Sequence, residues 1–112
     1  MELNGQIEGD GVLVVELREP SLDASNVREF REAAQALIQD RTRVVLDMTG
    51  VKFVDSSGLG ALISCLRQVN ARKGDFRLCA MSTTVRALFE LMRMHRVFNI
   101  HASRDDAVRA FA

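Results

Sequence analysis

An α/β layered domain is predicted by three observations. Short strand patterns alternate with helical-period stretches along the chain. The only proline, Pro20, falls between a strand pattern and a helix pattern, where a breaker belongs. The 112 residues are 47% hydrophobic and 27% charged, the proportions of a single soluble globular unit with one core, here residues 1–112. Strands alternating with helices favour crossover helices packed against a largely parallel sheet.

Residues 12–18 alternate, with Leu13, Val15 and Leu17 on one side, and the preceding Gly9-Asp10-Gly11 is a turn signal, so a β-hairpin opens the chain. From Ser25 to Gln39, Val27, Phe30, Ala34, Leu37 and Ile38 recur at helical spacing, with Asp23 or Ser25 able to cap the first turn. Val44-Val45-Leu46 reads as a central strand ending at Asp47, followed by an extended connection through Val51, Phe53 and Val54. Leu59, Leu62, Ile63, Leu66 and Val69 then mark an amphipathic helix that stops near Gly74. Phe76, Leu78 and Ala80 alternate as a strand. Thr83 or Thr84 opens a helix with Val85, Leu88, Phe89 and Met92, and a short strand covers 97–100. Ser103 followed by Asp106 is a capping-box-like start to a last short helix with Val108 and Phe111. The predicted order is ββαβαβαβα.

Composition excludes several functions. Fifteen Lys and Arg balance fifteen Asp and Glu, and there is no Trp or Tyr, so neither a phosphate-neutralising surface nor a set of stacking platforms for nucleic acid is expected. No stretch reaches the length of a membrane span and the N-terminal residues lack signal-peptide features, so the protein is expected in the cytoplasm. Cys65 and Cys79 have no CxxC or Cys/His spacing and read as buried reduced thiols, and no metal or cofactor set is evident.

The stretch most able to carry chemistry is Asp55-Ser56-Ser57-Gly58-Leu59-Gly60, between a buried strand and the clearest helix. Its hydroxyls fall near the unpaired N–H groups and positive dipole end of that helix, where a phosphate is tolerated. The plainer reading makes Ser56 or Ser57 an N-cap and the glycines a turn. Ser57 lacks the flanking glycines of a GxSxG elbow, no GxxxxGK[ST] loop exists, and neither His95 nor His101 has a spacing that ties it to Ser56 as a base. Asp47 at the end of a strand could instead be the phosphoacceptor of a receiver-like domain, but Arg18-Glu19-Pro20 and Ile100-His101-Ala102 supply neither the acidic residues nor the Lys of such a site.

The string Asp-Ser-Ser-Gly-Leu-Gly at residues 55–60, with Leu22-Asp23, Val44-Val45-Leu46-Asp47, Val51-Lys52-Phe53-Val54 and Val85-Arg86-Ala87-Leu88-Phe89, resembles the anti-sigma factor antagonists, the stand-alone bacterial STAS domains. The resemblance covers nearly the whole chain. It implies a mixed sheet of four or five strands with helices mainly on one face, and no enzymatic activity. It also implies a partner switch. The unphosphorylated form binds an anti-sigma factor that is also a serine kinase of the histidine-kinase-like ATPase class. Phosphorylation of Ser56, the serine directly after the motif's Asp, releases that partner, and a PP2C-type phosphatase resets the switch. Asp55, Ser57, Gly58, Leu59, Gly60 and Asp23 are the expected partner contacts, with the glycines allowing close approach. Leu62, Ile63, Leu66 and Val69 are expected in the core, as is most of the Phe content; Met92 and Met94 either extend a partner surface or, as Met more commonly does, fill the core. A non-switching scaffold subunit is the other reading of the same resemblance.

Overall fold

The computed structural model describes residues 1–111. Strands β1 (Leu3–Glu8) and β2 (Val12–Leu17) form the predicted antiparallel hairpin, with Gly9 and Gly11 at φ 54° and 71° in its turn. β2 then pairs in parallel with β4 (Arg43–Asp47), β4 with β6 (Asp75–Cys79), and β6 with β7 (Asn99–His101), giving the order β1-β2-β4-β6-β7. The helices are α1 (Val27–Ile38), α2 (Ser56–Asn70), α3 (Thr83–Leu91) and α4 (Arg104–Arg109). A 3-10 turn, Met94–Arg96, separates α3 from β7.

The apolar run of β2 is explained by burial on both faces. Leu13, Val15 and Leu17 join Phe30, Leu62, Phe76 and Phe89 in the larger core, beneath α1, α2 and α3. Val12 and Val14 join Val45, Cys79, Ala107 and Val108 in a smaller core beneath α4. The helices therefore lie mainly on one face, as expected, with the short α4 alone on the other. Both cysteines are buried and unpaired, and burial pushes each thiol up to about 12.

Several local expectations are corrected. α1 starts at Val27 after Asn26, which forms no side-chain cap, and neither Asp23 nor Ser25 caps it. Ser82, one residue before Thr83, caps α3 by accepting the Val85 N–H at 3.1 Å. The left-handed residue after α2 is Lys73, at φ 62°. Gly74 serves instead to let the chain pass β4, since a Cβ there would stand 2.3 Å from the Thr42 carbonyl oxygen. Val97 is half-exposed and the last strand begins at Asn99, because the chain is still leaving the 3-10 turn. Met92 faces solvent, whereas Met94 packs on the core. Ser103 caps α4 as predicted, accepting the Asp106 N–H at 3.1 Å.

Two further strands, β3 (Ser21–Leu22) and β5 (Phe53–Val54), pair in parallel as a separate small sheet. This pair has no periodic signal in the sequence, yet it sets where α2 begins.

Asp47 ends β4 as a turn former rather than as a free carboxylate. Its Oδ1 accepts from the Thr49 N–H and hydroxyl, and its Oδ2 lies 3.4 Å from Arg104. Arg104 also pairs with Glu8 and, at 3.2 Å, with Glu16, fastening α4 to β1, β2 and β4. Arg104→Met leaves three carboxylates facing one another and is expected to cost about 1–3 kcal/mol in urea unfolding, between exposed and fully buried ion pairs.

Candidate functional site

The N-terminus of α2 is built by one carboxylate. Asp55, in extended conformation at φ −94° and ψ −175°, is the N-cap, and its Oδ1 accepts the Gly58 N–H at 2.9 Å. Its Oδ2 accepts the Ala24 N–H at 3.1 Å, and its own N–H donates to the Leu22 carbonyl at 3.2 Å. One side chain thus closes the helix end and ties it to the 21–26 loop. The reading of Ser56 or Ser57 as the cap is overturned. Chain direction decides it: β5 delivers Asp55 to the cap position and leaves the serines as the first two helical residues.

Ser56 is exposed and Ser57 half-buried, and among the described residues neither hydroxyl forms a hydrogen bond. Gly58 is buried against β3. A Cβ on it would stand 2.3 Å from the Leu22 carbonyl oxygen and 2.9 Å from Val54 Cγ1, so the glycine serves packing within the chain rather than approach by another molecule. Leu59, expected at the surface, is 5% exposed and lies in the core, because it starts the same apolar stripe as Leu62, Leu66 and Val69. Gly60 is partly open, with Arg31 of α1 lying over it.

Asp23 sits in the adjoining loop. Its carboxylate accepts from the Ser25 N–H at 2.9 Å, from the Ser25 hydroxyl at 2.5 Å and from the Ser21 hydroxyl at 2.8 Å. Asn26 closes the same loop by accepting the Asp23 N–H and donating to the Ser21 carbonyl. The Ser25 hydroxyl first, and then the Ser21 hydroxyl, holds the Asp23 carboxyl below the usual range. These bonds are complete above the ordinary carboxylate pKa of about 4 and are lost as pH falls through the lowered folded value. The Ser25 amide is therefore expected to keep its chemical shift down to about pH 4 and to move only in stronger acid, and Asp23→Asn should remove that titration.

The structure thus brings Asp23, Asp55, Ser56, Ser57 and Gly60 to one end of the molecule and turns Gly58 and Leu59 inward. Sequence reading missed three neighbours. Phe53, read as part of an apolar run, is 48% exposed one residue before Val54. Arg28 and Arg31 share a groove with Ser56 and Ser57, which only the packing of α1 on α2 could disclose. The two histidines are elsewhere. His95 is exposed in the 3-10 turn, and His101 on β7 has its Nε2 3.0 Å from Arg77 Nη1, with burial and then the Arg77 charge lowering its pKa. Among the described residues no cluster of three or more His, Cys, Asp or Glu could hold a metal ion, and no helix is long and apolar enough to cross a membrane.

The STAS domain family matches residues 7–107. The chain belongs to the STAS family. An anti-sigma F factor antagonist of Paenibacillus polymyxa is 28% identical to this STAS domain over 111 residues, covering 95% of this chain and 94% of that one. An anti-sigma-factor antagonist (STAS) domain protein from Planctomyces limnophilus superposes with a TM-score of 0.87 at 21% identity, covering 96% of both chains. The Bacillus cell-fate determinant SpoIIAA in its phosphorylated form gives a TM-score of 0.71 at 21% identity, over 99% of this STAS domain and 100% of that chain.

Proposed function

We propose that this STAS domain is an anti-sigma factor antagonist whose binding is switched at Ser56. The observation that supports this most is the state of the Ser56 hydroxyl. It is exposed and unbonded at the first position of a helix already capped by Asp55, so a phosphate can be added there without removing a structural bond. The name of the Paenibacillus polymyxa relative supports the antagonist role, and the phosphorylated SpoIIAA form supports modification as a state that this fold accommodates.

In this reading the chain acts in the cytoplasm as one STAS domain without catalysis of its own. Unphosphorylated, it sequesters an anti-sigma factor that is also a serine kinase of the histidine-kinase-like ATPase class. That kinase phosphorylates Ser56, and a PP2C-type phosphatase reverses the step. Asp23, Asp55, Ser57 and Gly60 flank the contact. Phosphorylation adds about −1.5 to −2 charge beside Asp55, and a partner surface built for a neutral hydroxyl then meets repulsion and unpaired oxygens.

The test is capture from the source bacterium on wild-type, Ser56→Ala and Ser56→Asp baits, read by mass spectrometry with phosphosite mapping. Retention of a small ATPase by the first two baits and its loss on the third is the expected result. Identical partners on all three would overturn the switch and favour a scaffold subunit.

A further inference from the structure

The groove between α1 and α2 is cationic in a chain that is neutral overall. Its upper part, about 570 Å³, is lined by Arg28, Arg31, Glu32, Ser56 and Ser57, and its lower part, about 310 Å³, by Arg31 again and by Arg67. Arg31 lies across the gap, its Nη2 3.5 Å from where a Cβ on Gly60 would stand. Among the described residues none of these three arginines forms an ion pair, a state shared with Arg41, Arg43, Arg72, Arg93 and Arg96; what sets the three apart is that they line one groove. Three guanidiniums against the single carboxylate of Glu32 contrast with fifteen Lys and Arg against fifteen Asp and Glu in the whole chain.

We propose that this groove receives an acidic segment of a partner protein. From Ser56 to Arg67 the face of α2 spans about 16 Å at 1.5 Å per residue, room for about five residues of extended chain. Guanidiniums without an internal partner are suited to bidentate recognition of carboxylates. The groove contains no aromatic platform, and the neutral chain provides no wider basic surface, so a protein segment fits better than a nucleic acid strand. The proposal rests on the partner-switching reading and deepens it. Ser56 forms one end of the groove, so a phosphate there repels the incoming carboxylates and gives the arginines a competing anion within the chain itself.

The test is an NMR titration of the isotope-labelled full chain with a capped Glu-Asp hexapeptide, beside hexalysine and a deoxythymidine hexamer. Amide shifts confined to residues 27–35 and 56–68 are expected. They should vanish at about 1 M salt, where screening is nearly complete. Arg31→Glu and, separately, Arg67→Glu should each weaken binding about tenfold or more, with the rest of the spectrum unchanged as evidence of folding. No shifts, shifts centred on another basic region such as Arg93 and Arg96, or equal binding of the deoxythymidine hexamer would overturn the proposal. Partner capture separates the two readings. If Ser56→Asp releases the ATPase and Arg31→Glu holds it normally, the groove proposal fails and the switch stands. If the peptide maps to the groove and Ser56→Asp still holds the ATPase, the switch fails and the groove stands.

Discussion

Ser56→Asp is expected to weaken equilibrium binding of the proposed kinase partner by about two orders of magnitude, a penalty of about 3 kcal/mol. Ser56→Ala should stay within a few-fold of wild type. The asymmetry follows from the geometry. The hydroxyl holds nothing in the free chain, so its removal costs the fold nothing, whereas a carboxylate at position 56 stands next to Asp55 and at the end of the α1–α2 groove. A change of this size reverses a competition between two partners of similar affinity. Calorimetry on the purified pair measures it. Phosphoserine at 56 should be at least as disruptive as Asp because it carries more charge. Equal affinity of wild-type, Asp and phosphoserine forms would dismiss the electrostatic account.

Two glycines only two residues apart should behave oppositely. Gly58→Ala places a methyl 2.3 Å from a backbone oxygen of β3, which no side-chain rotation relieves, and is expected to cost about 2–3 kcal/mol, roughly 10 °C in Tm. Gly60→Ala meets only the Arg31 guanidinium, at 3.5 Å, within ordinary contact distance. It removes a helix-interior glycine and should gain about 0.5–1 kcal/mol. Circular-dichroism melts of both variants check the pair, and a similar loss from each would refute the packing described for β3 on α2.

The difference between these glycines shows where sequence reasoning ends. The order of strands and helices, the central place of β4 and the place of the motif at a helix start all follow from periodicity and turn residues local to each segment, whereas the alternation read in β2 gave only one of its two buried faces. What the site depends on is tertiary. The β3–β5 pair is two residues long on each side and leaves no pattern to read. Asp55 and Ser56 are both good caps by residue type, and only the exit of the chain from β5 chooses between them. Leu59 reads as surface from its place in the motif but as core from its place in the stripe, and the structure follows the stripe. Arg28 and Arg31 look like ordinary solvated charges on α1 until α2 is packed beside them.

The two hydrogen bonds that the Asp55 carboxylate accepts have a kinetic meaning. Its two oxygens fasten the α2 end and the 21–26 loop to each other in the free chain, so these two segments have little ordering entropy left to lose on the proposed association. Under the proposed switch, phosphorylation would then change the charge met on approach rather than the shape of the site. It would also shorten the life of the complex, and the exchange of partners would proceed at the speed of dissociation rather than of refolding.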